Sequence, residues 1–264
     1  FGIHRGETFV MLGLSGTGKS VRLKHMIGLL FPDYGRVLIN GVDTSRLSPK
    51  EQLESKKQFG YLFQSGALIN WMTIAENVAL PLREHTHLPE EEIQRRVLEK
   101  LAMVNLEEHG HKFPSDISGG MKKRAGLARA IVRDPEILLY DEPTSGLDPV
   151  MSRGVDRMIV KLQRELGVTS ILVTHDMESA YLCADRIAML YQGRVQQIGT
   201  SEEIRRTRDP IVKAFVTGGE LPDVTDTSTP PVAVPPPGRG TMHRIKPPPP
   251  TATDGETGDA ATGA

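Results

Sequence analysis

The residues best equipped for chemistry fall in two short runs. The first, Gly13-Leu14-Ser15-Gly16-Thr17-Gly18-Lys19-Ser20, satisfies the pattern G-x-x-x-x-G-K-[ST]. Its glycines let the backbone bend so that successive N–H groups, those of Ser15 and Thr17 among them, face a phosphate chain. A helix starting directly behind the loop adds the positive end of its dipole. Lys19 has the length to reach β- and γ-phosphates, and the Ser20 hydroxyl is a ligand for Mg²⁺. A chain of this glycine content meets the pattern by accident on the order of once in a hundred. The strand before it and the helix after it weaken the chance reading further.

The second run is Ile137-Leu138-Leu139-Tyr140-Asp141-Glu142. Four apolar residues make a buried strand that carries Asp141 to the carboxyl end of a sheet, where α/β proteins bind ligands. Asp141 would hold Mg²⁺, directly or through water. Glu142 would then polarise an attacking water as general base, a role worth about 10²–10⁴ in rate. By itself an acidic pair after an apolar strand is an ordinary strand end or helix cap. Downstream of a phosphate loop it reads as catalytic.

The elements that must position these runs are visible in the hydrophobic pattern. Strands are expected at residues 7–12, 36–40, 58–63, 136–141, 168–173, 186–191 and 194–198, the last two joined as a hairpin through Gln192-Gly193. A helix should run from about Ser20 to Leu30. Residues 70–133 show helical periodicity without a strand. Pro89 followed by Glu90, Glu91 and Glu92 starts one helix, whose apolar face is Ile93, Val97, Leu101 and Val104. The pattern predicts an α/β core with a largely parallel sheet and an inserted α-helical subdomain at about 70–133. Thr200 and Glu203 form a capping box, and Asp209-Pro210 opens a final helix to about Val216.

Composition bounds the rest. The chain has 264 residues, a formal net charge of −1 and one cysteine, Cys183. The near-neutral balance argues against a nucleic-acid partner, and one thiol excludes a disulfide framework and suits a reducing compartment. No apolar run approaches the roughly 20 residues of a membrane span. The chain opens on Phe1 without an initiator methionine, within a strand-like stretch, and the expectation is a truncated N-terminus. Residues 219–264 hold ten of the 19 prolines and no aromatic residue. Ordering a residue costs about 1–2 kcal/mol of backbone entropy, and this composition buries too little to offset it. A disordered Pro-rich tail is expected, with a ligand for a Pro-binding partner as the lesser reading.

The two runs alone indicate a P-loop nucleoside triphosphatase. Four further features resemble the ABC ATPase family, in that family's order. Gln64, after the 58–63 strand, is similar to the Q-loop glutamine. Ile117-Ser118-Gly119-Gly120-Met121 resembles the signature loop, and Ser145-Gly146-Leu147-Asp148 the D-loop. His175, after the 168–173 strand, resembles the switch histidine. The resemblance implies a RecA-like P-loop core over residues 1–218. It implies ATP and Mg²⁺ as cofactors, with Glu142, His175 and Gln64 catalytic and Ser20, Gln64 and Asp141 around the metal. Nucleotide contacts are then Gly13, Ser15, Gly16, Thr17, Gly18, Lys19 and Ser20. In a head-to-tail dimer, Ser118, Gly119, Gly120 and Asp148 would close on ATP held by a second copy. The run Lys122-Lys123-Arg124 reads as a solvated helix face that complements nucleotide at that interface. Family members stack adenine on an aromatic residue upstream of the P-loop, and twelve residues before Gly13 leave little room for it, so weakened adenine affinity is expected.

A narrower resemblance lies in Phe63-Gln-Ser-Gly-Ala-Leu68, Glu76-Asn-Val78, Pro81-Leu-Arg-Glu-His-Thr86 and Ser118-Gly-Gly-Met-Lys-Lys-Arg-Ala125. These look like the ATPase of the Mla (maintenance of lipid asymmetry) phospholipid transporters, where Met121 replaces the commoner glutamine. That resemblance implies an integral permease and an Mce-type substrate-binding subunit as partners, at the cytoplasmic face of an inner membrane. A small-solute ABC importer shares every catalytic motif and remains open. An ABC protein that clamps nucleic acid or ribosomes is the weakest alternative.

Overall fold

The structure, a computed structural model, describes residues 1–219. The expectation of a disordered tail over 219–264 therefore falls almost wholly outside the described residues. The core is a six-stranded sheet of β1 (Thr8–Gly13), β4 (Phe59–Leu62), β5 (Ile137–Asp141), β6 (Thr169–Thr174), β7 (Arg186–Tyr191) and β8 (Arg194–Gly199). Its spatial order is β4-β5-β6-β1-β7-β8. All neighbours are parallel except β7 and β8, which pair antiparallel through the expected turn at Gln192-Gly193.

β1 lies between β6 and β7 and is buried along its whole length. Its alternate residues serve two cores. Phe9 and Met11 pack with Leu139, Val173, Leu190 and Leu23 of α1 (Lys19–Met26). Val10 and Leu12 pack with Tyr140, Leu172 and Met189 on the opposite face. Helices on both faces explain why these strands read as continuous apolar runs rather than as alternating ones.

The short stretch 36–40 is not a strand of the main sheet. Only β2 (Leu38–Ile39) forms, pairing antiparallel with β3 (Val42–Asp43). Asn40 (φ 50°) and Gly41 (φ 82°) take the left-handed conformations of the two-residue turn that this dipeptide favours. α1 also ends earlier than expected, at Met26, because Gly28 adopts φ 65° and the amides of Leu29 and Leu30 turn back to the Lys24 carbonyl. α2 (Pro49–Lys56), not expected from the apolar pattern, is set by a Ser48/Glu51 capping box with Pro49 in its first turn.

Within residues 70–133 lie α3 (Ile74–His85), α4 (Glu90–Met103) and α5 (Gly119–Ile131). α3 starts from a Thr73/Glu76 capping box. The α4 face expected from periodicity is buried: Ile93, Val97, Leu101 and Val104 all lie in the larger core. α6 (Pro149–Leu166) and α7 (Met177–Cys183) follow β5 and β6, each capped by an aspartate, Asp148 and Asp176. α8 (Ser201–Arg205) carries the expected Thr200/Glu203 box, and α9 (Pro210–Thr217) starts at Asp209. Among the described residues, no helix is long and apolar enough to cross a membrane.

Candidate functional site

The carboxyl ends of β1, β5 and β6 converge, and the three runs that follow them meet there. β1 delivers the glycine-rich loop. Gly13 leaves the strand against β7, where a side chain would bring its Cβ within 2.4 Å of the Leu190 carbonyl oxygen. Gly16 (φ 82°) and Gly18 (φ 84°) turn the chain in the left-handed region, and Gly18 caps α1. Lys19 folds back across the loop, its ammonium donating to the Gly13 and Leu14 carbonyls at 2.8 and 2.9 Å. Thr17 donates its hydroxyl to the Leu14 carbonyl at 2.8 Å, while Ser15 and Gly16 are exposed.

β5 brings up the acidic pair. Asp141 accepts the Ser20 hydroxyl on one oxygen at 2.7 Å and the Tyr61 hydroxyl on the other at 3.1 Å. Burial, reinforced by the Asp141 charge, keeps the Tyr61 phenol protonated far above its ordinary range. Glu142 is buried, and its carboxylate is a bridge: 3.4 Å from the Lys19 ammonium on one oxygen and 2.9 Å from His175 Nδ1 on the other. Its backbone takes φ 49°, an uncommon conformation for glutamate, fixed by its amide bonding to the Val173 carbonyl and its carbonyl accepting from Ser145 N.

Gln64 stands just beyond β4, its amide donating to the Ser145 hydroxyl at 3.2 Å. With Asp141, Tyr61, Phe63, Ser65, Lys24 and Leu29 it lines a cavity of about 560 Å³. Gln64 thus shares a cavity with Asp141 but spends its side chain on residue 145. Ser118 caps α5, accepting from Met121 N, and a Cβ on Gly119 or Gly120 would meet Leu147 or Met151. Asp148 caps α6 by accepting from Val150 N and Met151 N. The structure therefore gathers Gly13, Lys19, Ser20, Asp141, Glu142 and His175 into one place. It puts Ser118–Gly120 and Asp148 beside each other, engaged in helix caps.

The Ser20 and Asp141 oxygens fit Mg²⁺, a hard cation that prefers oxygen and takes few protein ligands alongside substrate phosphates. Among the described residues, no group of three or more His, Cys, Asp or Glu could hold a metal alone.

The basic run Lys122-Lys123-Arg124 is not a solvated face, which corrects the reading from sequence. Lys123 is buried and donates to the backbone carbonyls of Gln64 and, at 3.4 Å, Glu142. Arg124 caps the carbonyls of Val104 and Asn105. Tyr61 and Lys123 escaped sequence reasoning, because only the fold brings them to Asp141 and Glu142.

Comparison with known proteins agrees with this geometry. Residues 1–145 match the family model described as ABC transporter. The chain is 46% identical over 219 residues to the probable ribonucleotide transport ATP-binding protein mkl of Mycobacterium bovis, covering 83% of this chain and 61% of that protein. It is 42% identical over 216 residues to the intermembrane phospholipid transport system ATP-binding protein MlaF of Haemophilus influenzae, 82% of each chain. A solved structure, the dimeric post-hydrolysis state of the ATP-binding cassette MJ0796 bound to ADP and Pi, superposes with a TM-score of 0.69 at 34% identity, over 76% of this chain and 88% of that one. The chain spans about three fifths (61%) of the length of the mkl relatives. With the phosphate loop, the acidic strand end and the intervening helices in that family's arrangement, the chain belongs to the ABC transporter family and contains its ATP-binding domain.

Proposed function

We propose that residues 1–218 form an ATP-hydrolysing cassette that works as a pair around two MgATP molecules and drives an integral permease. The observation that carries the hydrolytic reading is the Glu142 carboxylate held between Lys19 and His175. When a triphosphate enters the loop, its β- and γ-oxygens draw the Lys19 ammonium away from the Gly13 and Leu14 carbonyls. The Glu142 carboxylate is then released from the Lys19 ammonium as the substrate arrives. A water lying between Glu142 and the γ-phosphorus gives its proton to the carboxylate while its oxygen adds to phosphorus. The bond to the β-phosphate oxygen breaks, and ADP and inorganic phosphate result. His175 orients the carboxylate through Nδ1, with its other ring nitrogen left to contact the γ-phosphate. Ser20 and Asp141, near Gln64, would hold Mg²⁺, which would neutralise charge on the phosphates.

Pairing is supported by the start of α5, read as a second anion site. Ser118, Gly119 and Gly120 begin α5 next to Leu147 and Met151, which flank Asp148. A head-to-tail second copy would lay this helix start on ATP held by Lys19. The dimeric MJ0796 cassette, with ADP and Pi bound, supports that arrangement.

For cargo we infer phospholipid moved between membranes, with an Mce-type subunit beside the permease and the cassette at the cytoplasmic face of an inner membrane. The signature ending in Met121 and the 42% identity to MlaF support this. The ribonucleotide named for mkl supports a second reading, import of a polar solute. Native purification of the full chain from its membranes, with bound proteins and lipids read by mass spectrometry, decides. A permease with an Mce-type subunit and retained phospholipid is expected. A solute-type permease without lipid would overturn the lipid reading and keep the motor. Soluble partners alone would overturn both.

A further inference from the structure

α5 begins at the signature residues and is gripped, along one face, to the turn that carries Gln64. Lys123, Gly126 and Arg129 recur at intervals of three and face residues 64–67. The Lys123 ammonium donates to the Gln64 carbonyl. The Arg129 guanidinium donates to the Gly66 and Ala67 carbonyls, each at 2.8 Å. Between them Gly126 has no side chain, and a Cβ there would meet the Gly66 oxygen at 3.1 Å. The turn is backbone-strained at Ala67 (φ 46°), next to left-handed Gly66 (φ 75°), and the carbonyls of both accept from Arg129.

Lys123 does more than hold the turn. The same ammonium reaches the Glu142 carbonyl at 3.4 Å, and it is buried at 5% exposure. Burial opposes its charge, while Glu142 and Asp141 favour it. One cation thus ties the signature helix, the Gln64 backbone and the backbone of the base. The Gln64 amide closes the circuit by bonding to Ser145, whose own amide donates to the Glu142 carbonyl at 3.1 Å. A buried lysine here is needless for packing, since an apolar side chain of that length would fill the space without a desolvation penalty.

We propose that Lys123 is a positioning residue for hydrolysis, fixing the carbonyl of Glu142 relative to the Gln64 turn so that displacement of the signature helix displaces the base. It acts through Glu142 and touches no substrate, and the inference rests on the reading of Glu142 as the base.

The test uses the full chain with its membrane partners, comparing wild type, Lys123→Met, Lys123→Arg and Glu142→Gln in steady-state MgATP hydrolysis and thermal unfolding. Since misplacing a reacting group by about 1 Å can lower rate about 10²-fold, kcat of Lys123→Met should fall at least about tenfold with KM for ATP within about threefold. Lys123→Arg, which keeps charge and donors, should recover at least about threefold of that loss. Hydrolysis in Lys123→Met within about twofold of wild type, beside an inactive Glu142→Gln, overturns the role of Lys123 and leaves the base standing. An undiminished rate in Glu142→Gln overturns the base, and with it the inference. If Lys123→Met fails to fold, Lys123→Gln replaces it. Equal kcat in Lys123→Gln and Lys123→Arg then refutes positioning by the ammonium.

Discussion

Replacing Gly126 by alanine sets a local gain against a local collision, and the structure says which is larger. Gly126 lies mid-helix in α5, where alanine is favoured by about 1 kcal/mol. The added methyl would lie 2.9 Å from Leu62 Cδ1, 3.1 Å from the Gly66 oxygen and 3.2 Å from the Gly66 Cα. Leu62 can turn a side chain aside, but Gly66 presents backbone, held by its own amide to the Phe63 carbonyl at 2.8 Å. Overpacking of this kind costs about 1–3 kcal/mol, so Gly126→Ala should be destabilising by about 0–2 kcal/mol net. For a domain of this size that is a fall of up to about 8 °C in Tm, read by calorimetry or dye binding. The relief available is a shift of the 64–67 turn away from α5, which carries Gln64 with it. ATP hydrolysis should therefore drop more than nucleotide binding does. A Tm raised by about 2–4 °C with hydrolysis unchanged, the outcome of helix propensity acting alone, would refute the close-packing argument.

Glu142→Gln preserves the shape of the bridge to Lys19 and His175 but removes the proton acceptor. Phosphate release should fall about 10²–10⁴-fold while a fluorescent ATP analogue still binds, and a wild-type rate would refute the assignment. Thr73→Ala removes the hydroxyl that accepts from Glu76 N at 3.2 Å. It should lower the urea midpoint by the equivalent of about 0.5–2 kcal/mol without changing the m-value, and an unaltered midpoint would show that the cap is idle. Cys183 is buried against Asp156, and burial first, then the Asp156 charge, hold its thiol well above the ordinary range. The native protein should resist iodoacetamide at about pH 8.5, the ordinary thiol pKa, and react once denatured; equal rates would refute the burial.

The hydrophobic pattern carried the sheet because its central strands are buried on both faces, leaving apolar runs such as 137–140 and 171–173. It failed at 36–40, where Asn40-Gly41 is a two-residue turn that breaks the run into β2 and β3. It also passed over α2, whose residues are too polar to show an apolar face and whose start is set by hydrogen bonds of Ser48 and Glu51. In both places local backbone chemistry, not periodicity, decides the structure.

The phosphate loop and acidic strand were legible because each is a continuous run whose mechanism needs that local order. Lys123 was not, because its role depends on the phase of α5. That helix buries Gly120, Lys123, Ala125, Gly126, Leu127, Ala128, Ala130 and Ile131, nearly its whole circumference. A helix so enclosed leaves little solvated surface for three consecutive cations, and Lys123 and Arg124 donate to carbonyl oxygens instead. The signal was present in the small residues Ala125, Gly126, Ala128 and Ala130, which mark backbone approaching backbone rather than a surface. Read with that weight, the run Lys122-Lys123-Arg124 ceases to be a charge patch. At 3.6 residues per turn the middle cation of the three is carried inward, where its ammonium reaches the Gln64 and Glu142 carbonyls.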